Sequence, residues 1–341
     1  LPGQSAPTWG NSPASFSSNR QRVAFLDGTR IRVFDLTTRT EIADLEGFEE
    51  GTWSLAFSPE GKILAAGPTS AATSTDIKLF SVDDGKELDP LAGHVSWVPA
   101  IAFTSDGKRL VSTGGDQTVR IWDVDRRQQA AVLHGHLAEV YRVVVSTDGK
   151  TIFSGDKDGT ILAWDANTIH HRRRFETLPV PVAELVFLPE SRGMLTVDTN
   201  GRVTLWDSRS LQATESLDLL GSDVKQLIVS ADGSRVFAGT THGDVKVLDW
   251  PTRQVIRSLT EESGRRLEMA GLIQADHYLV VRVAKSVIRL VDTTSWETRD
   301  EWQFDEGNTW VGSRLGVSAK MNLLAASGFR GPMHYLDLVT G

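Results

Sequence analysis

Along this chain of 341 residues, groups that could carry out chemistry recur at a fixed interval. His94, Ser112 and Asp116 supply an imidazole, a hydroxyl and a carboxylate, and His136, Ser154 and Asp158 repeat them 42 residues later. A base, a nucleophile and an orienting acid are the components of acyl transfer. His170-His171 followed by Arg172-Arg173-Arg174 offers imidazoles to a metal, or a basic run to nucleic acid or an acidic partner. Gly312-Ser313-Arg314-Leu315-Gly316 has the look of a serine elbow. Each reading meets an objection. The serine sits one position early and no strand-to-helix pattern follows it, so the segment reads as the start of a strand. Adjacent histidines on a strand point to opposite faces. No phosphate-cradling glycine loop and no paired metal-ligand histidines occur, so the sequence predicts no catalytic residue, no metal and no cofactor.

What would position these groups is a set of short strands. Trp122-Asp123, Trp164-Asp165 and Trp206-Asp207 lie 42 residues apart, each closing a β-prone run. A further step reaches Leu248-Asp249, and weaker markers stand at Phe34-Asp35, Phe80-Ser81, Val291-Asp292 and Leu336-Asp337. Strand ends at Phe57, Phe103, Val145, Phe187 and Val229 keep the same register, and polar turns such as Ser105-Asp106-Gly107-Lys108 join them to the next strand. Four strands in each unit of about 42 residues make a propeller blade, which must stack on its neighbours to bury both faces. The expectation is an all-β, closed propeller of four-stranded antiparallel blades. Its units run at about 10–47, 52–93, 98–135, 140–177, 182–219, 224–261, 267–304 and 310–341. On this register the Arg172–Arg174 run falls on an outermost strand, where charge discourages sheet extension.

Leu91-Ala92-Gly93-His94, Ser112, Asp116 and Trp122-Asp123 resemble the complete pattern of the WD-repeat family, and Gly135-His136, Ser154, Asp158 and Trp164-Asp165 repeat it. The resemblance implies a buried hydrogen-bonded tetrad in each unit, with the hydroxyl between His and Asp and the indole N–H bonded outward. It therefore assigns His94, Ser112, Asp116, Trp122, His136, Ser154, Asp158 and Trp164 to structure. At the Asp position the other units carry Ser74, Asn200, His242, Lys285 and Arg330, so apolar packing must hold them instead. His242 and Lys285 are thereby released to face a ligand, though loss of the pattern without function explains them more simply. Eight markers favour eight blades over seven. Pro13 makes the first inner strand irregular, and Leu1-Pro2-Gly3-Gln4 resembles the end of a fourth strand, so the two termini are expected to share a blade.

Net charge is -8 and the sequence pI about 5.5, which opposes binding to nucleic acid. No apolar run reaches the roughly 18 residues of a membrane span. Cysteine is absent, which suits a reducing cytosol and exported proteins alike, with the cytosol favoured. The Asp-Gly-Lys turns and regular steps point to a bacterial source. The first turns of the inner strands line the channel mouth on the face of the Gly-His loops, the top face. Register puts Trp53, Pro99, Tyr141, Ala183, Lys225 and Met269 there, with Trp97, Glu139, Arg142, Glu184, Gln226 and Arg314 beside them. The insertion from Pro68 to Thr75 lies on the same face. Aromatic and arginine side chains in one patch are the composition of a protein interface. The expected partner of Trp53, Trp97, Glu139, Tyr141, Arg142, Glu184, Lys225, Gln226 and Arg314 is a peptide or loop of another protein, and the expected role is a non-enzymatic scaffold. One alternative is a sensor or docking domain of a larger signalling protein, since other domains of the same polypeptide are possible partners. Another is a propeller enzyme with its site in the central channel. If Trp53 and Trp97 instead fold back between blades, the patch is ordinary core.

Overall fold

A computed structural model of the chain describes residues 14–17, 21–27, 29–146, 148–166, 172–174, 180, 182–189, 193–207, 210, 212–218, 224–240, 242–260, 267–273, 276–283, 287–303, 314–318, 323–327 and 333–337. Among the described residues every strand lies in an antiparallel sheet. Seven sheets have four strands in sequence order, from blade one (Ala14–Phe16, Arg22–Asp27, Arg30–Asp35, Thr40–Glu46) to blade seven (Leu267–Ile273, Tyr278–Val283, Val287–Asp292, Thr298–Gln303). An eighth sheet has three: Arg314–Ser318, Leu323–Ser327 and Met333–Asp337. Complete blades thus number seven and not the eight that the markers favour, because the eighth unit forms no fourth strand among the described residues. Inner strands touch one another in chain order, and the inner strand of the three-stranded sheet touches those of blade seven and blade one. Leu1 to Pro13 lie outside the described residues, as do Lys285 and Arg330.

The local rules behind each blade are plain in the turns. In blade four the Ser146 hydroxyl donates to Asp148 Oδ1 at 2.5 Å and accepts from the Thr151 amide at 2.9 Å, while Lys150 N donates to the same carboxylate. Gly149 then closes the turn at φ 70°, a left-handed conformation that a Cβ penalises. Thr104, Asp106 and Gly107 repeat the device in blade three, and Ser230, Asp232 and Gly233 in blade six. The carboxyls of Asp106, Asp148 and Asp232 are held below the usual range by the hydroxyl that donates to each, Asp232 at about 2.

Packing between blades draws on all four strands, and the β-branched and aromatic residues of the second and third are the most deeply buried. One cluster joins Val111, Ile121, Leu133, Val143, Ile152 and Trp164 across blades three and four; others join blades one and two, five and six, and six and seven. Arginines fasten the opposite, bottom face. Arg22, Arg109 and Arg235, each opening a second strand, donate to the carbonyls of Gly61, Ala166 and Thr293 on the following blade. Arg172–Arg174 forms the outer strand of blade four, paired with Leu162–Trp164.

Candidate binding face and the tetrads behind it

Blades three and four each hold a chain of four polar side chains. His94 Nε2 lies 2.8 Å from Ser112 Oγ and its Nδ1 2.8 Å from Asp116 Oδ2, while Trp122 Nε1 donates to Ser112 Oγ at 2.8 Å. In blade four the distances are 2.7, 2.7 and 2.8 Å among His136, Ser154, Asp156 and Trp164. A neutral imidazole with its proton on Nδ1 satisfies every donor: indole to hydroxyl, hydroxyl to Nε2, Nδ1–H to carboxylate. The imidazole, not the hydroxyl, is therefore the group between hydroxyl and carboxylate, and the indole N–H points into the chain rather than outward. These are the contacts of a Ser-His-Asp hydrolase. Ser112 and Ser154, however, are 0% exposed, and an indole caps each nucleophilic oxygen, so no substrate reaches either.

The carboxylate of the second tetrad is Asp156, not Asp158. Asp156 Oδ2 meets His136 while its Oδ1 accepts the amides of Asp158 and Thr160, so Asp158 sits in the turn that Asp156 caps. Blade five follows the same scheme without a histidine. Trp206 Nε1 donates to Thr196 Oγ1 at 2.8 Å, and Asp198, two residues on, accepts the Asn200 and Arg202 amides. Asn200 is thus a turn residue and Asp198 holds the acid position. In blade three the same point of the hairpin is Gly114, whose amide bonds to Thr118 as that of Asp156 bonds to Thr160, and the acid arrives from Asp116. Burial by itself raises the Asp116 and Asp156 carboxyls. The bonds from His94 and Thr118, and from His136 and the Thr160 amide, outweigh it and hold both low.

Beside these tetrads lie the starts of the inner strands. In blades two, four, five and six the register of the inner strand slips by one residue, at Trp53, Tyr141, Ala183 and Lys225. A bulge of this kind re-aims its side chain. In blade seven the extra residue is Ala270, one beyond Met269, which is buried against blade six. Two residues before the bulges at Trp53 and Tyr141, and before Pro99 at the corresponding place in blade three, the carbonyls of Gly51, Glu139 and Trp97 accept the amides of Thr69, Lys157 and Gly115. The Trp53 and Tyr141 rings meet edge to face, centroids 6.0 Å apart. Both Trp53 and Trp97 are half-buried, and neither joins an apolar cluster between blades among the described residues. Trp97 lies on Gly115, where a Cβ would stand 2.5 Å from its Cε2, and its buried Nε1 has no hydrogen-bond partner among the described residues.

Charges ring the aromatic part. Lys157 Nζ lies 2.5 Å from Glu139 Oε2, and that bond holds the Glu139 carboxyl low. Burial raises the Tyr141 phenol and the Glu184 carboxyl, the latter against the pull of Arg142. The Arg142 guanidinium spans the carbonyls of Ala183 and Tyr141 at 3.2 and 3.3 Å. Gln226 is half-buried beside Gly239; the side chains of Lys225 and Arg314 are outside the described set, as are His170, His171, Gly312 and Ser313. The loop that follows Pro68 is tied back where the Thr69 hydroxyl donates to the carbonyls of Glu50 and Gly51. Two side chains on this face escape sequence reasoning. Val95 and Leu137 are 75% and 83% exposed, each directly after a tetrad histidine, and Asp116 accepts the Val95 amide at 3.1 Å. Among the described residues no three His, Asp or Glu side chains converge on a metal-sized site, and no helix is long and apolar enough to cross a membrane.

Comparison with known proteins agrees with this geometry. The family described as WD domain, G-beta repeat matches residues 85–123 and 127–165. Each matched stretch begins near an outer strand and ends on the Trp-Asp pair of the next blade, so a sequence repeat joins two blades. Human WD repeat and SOCS box-containing protein 1 is 30% identical over 28% of this chain and 22% of its own length. Caenorhabditis elegans Transcription factor unc-37 is 29% identical over 28% of this chain and 15% of its own. Periodic tryptophan protein 2 homolog of Neurospora crassa is 42% identical over 19% and 7%. The chain thus spans under a quarter of these relatives, and their eukaryotic origin lends no support to a bacterial source. With blades of this construction following one another along its length, the chain belongs to the WD-repeat β-propeller family.

Proposed function

We propose that the chain is a protein-interaction scaffold that receives a peptide or loop of a partner protein on its top face. The observation that carries this reading is the aromatic pair Trp53 and Tyr141, set at two inner-strand bulges and flanked by half-buried Trp97. Large rigid side chains lose little entropy on docking. Glu139, Arg142, Glu184, Lys225, Gln226 and Arg314 form the polar surround in this reading. A protein partner suits the net charge of -8 better than nucleic acid does. One propeller spanning the whole chain, with the three-stranded sheet between blade seven and blade one as its eighth member, gives the face its closed rim. The length of the relatives favours a second role beside this one, as the docking module of a longer polypeptide.

The test is affinity capture from the source cell with the purified chain and with a Trp97→Ala, Tyr141→Ala double variant of unchanged unfolding temperature. A protein held by the first and lost by the second supports the top face as the docking platform. Equal capture by both rejects it.

A further inference from the structure

Outer strands are where a propeller shows water an unpaired row of backbone N–H and C=O groups, and acids, lysines or proline ordinarily guard them. Thr40–Glu46, Glu87–Leu91, Ala213–Leu217 and Thr298–Gln303 carry Asp, Glu or Pro, and Arg172–Arg174 is charged throughout. Gln128–His134 shows water its glutamines, Ala130 and His134 and keeps Leu133 inward. The outer strand of blade six, Gln254–Leu259, is guarded by a single charge, Arg257. It contains no Asp, Glu or Pro, and Val255 and Ile256 are 38% and 45% exposed. Among the described residues it pairs on one side only, with Val245–Asp249, and the register slips at Ile256, which is exposed beside Val255.

What covers such an edge is decided by charge. Arg257 is the only charged residue of the strand and is exposed. A second copy of the chain would set Arg257 against its own counterpart. An extended segment with acids brings the opposite charge to Arg257, and branched aliphatic residues between those acids cover Val255 and Ile256.

We propose that the outer edge of blade six accepts an extended partner segment in which branched aliphatic residues alternate with Asp or Glu, as a fifth strand of that sheet. This edge lies apart from the residues of the top face, so its test stands or falls alone. The experiment is calorimetric titration of the whole chain with a capped Val-Glu-Val-Glu-Val-Glu-Val peptide and with its Val-Lys counterpart, followed by hydrogen exchange of the bound form. The acidic peptide binds about tenfold or more tightly than the basic one and slows exchange of amides in residues 254–259. Arg257→Glu inverts the preference, and Ile256→Asp weakens the acidic peptide by about tenfold with no change in unfolding temperature. No binding, equal binding of both peptides, or protection confined to other blades overturns the proposal. So does a dimer in sedimentation that Ile256→Asp dissolves, which assigns the edge to a second copy.

Discussion

Asp156 and Asp158 stand two residues apart in one turn and differ in everything that matters to stability. Asp156 is buried and bonded to His136 and two amides, whereas Asp158 is exposed. Asp156→Ala leaves a buried imidazole and two amides without their acceptor and is expected to cost about 3 kcal/mol in denaturant unfolding. Asp158→Ala is expected to stay within about 0.5 kcal/mol. The pH dependence follows from the same carboxyls. Asp116 and Asp156 titrate lower folded than unfolded, so below pH about 4 the unfolded chain binds more protons and stability falls. Their contribution is complete above that range and is lost as pH drops through the folded values. A chain with Asn at both positions should lose less stability between pH 5 and pH 3 than the native one, as thermal unfolding in that window will show. Gly114 and Gly115 divide the two roles of the site. A Cβ on Gly114 would collide with the Asp116 carboxylate and the His94 ring, and one on Gly115 with the Trp97 indole. Gly114→Ala should therefore lower stability by about 2 kcal/mol. Gly115→Ala should chiefly displace Trp97, weakening partner capture more than it lowers the unfolding temperature.

At the scale of strands and turns, the arginine that opens a second strand acts across a blade boundary. Arg235 donates to Thr293 O at 2.8 Å and its guanidinium lies 6.0 Å from the Trp296 ring. Arg235→Ala should cost about 1–2 kcal/mol, read by urea unfolding, while Arg257→Ala on an open edge should cost almost nothing. Strand order and the polar turns were legible in the sequence because a period near 42 repeats the same alternation and the same Asp-Gly signal. The acid of blade four was not. Its hairpin is built differently from that of blade three: the carboxylate follows the hydroxyl by two residues in one and by four in the other, and residue counting aligned Asp158 with Asp116. Val95 and Leu137 were hidden for a related reason, since an aliphatic residue after a buried histidine reads as core. The bulge at Ala270 rather than Met269 likewise rests on a one-residue slip that spacing cannot register.

Across the whole molecule, each blade rests mainly on its two neighbours, so stability is close to a sum of blade and interface contributions. Blades three and four own the complete tetrads and share an apolar cluster between them. They should be the last to open: amides of the second strands Arg109–Thr113 and Thr151–Asp156 are expected to exchange more slowly than those of Arg22–Asp27 in native-state hydrogen exchange. Rates equal across these strands would mean the blades open as one unit. The three tetrad-position tryptophans also give the protein a built-in optical gauge. Trp122, Trp164 and Trp206 are buried with each indole N–H fixed on a hydroxyl, while blades one and two carry Phe34 and Phe80 and blade six Leu248 at that place. Seven other tryptophans also emit, so the part of the red shift on heating that is lost when one of these three is replaced by phenylalanine would date the loosening of its own blade.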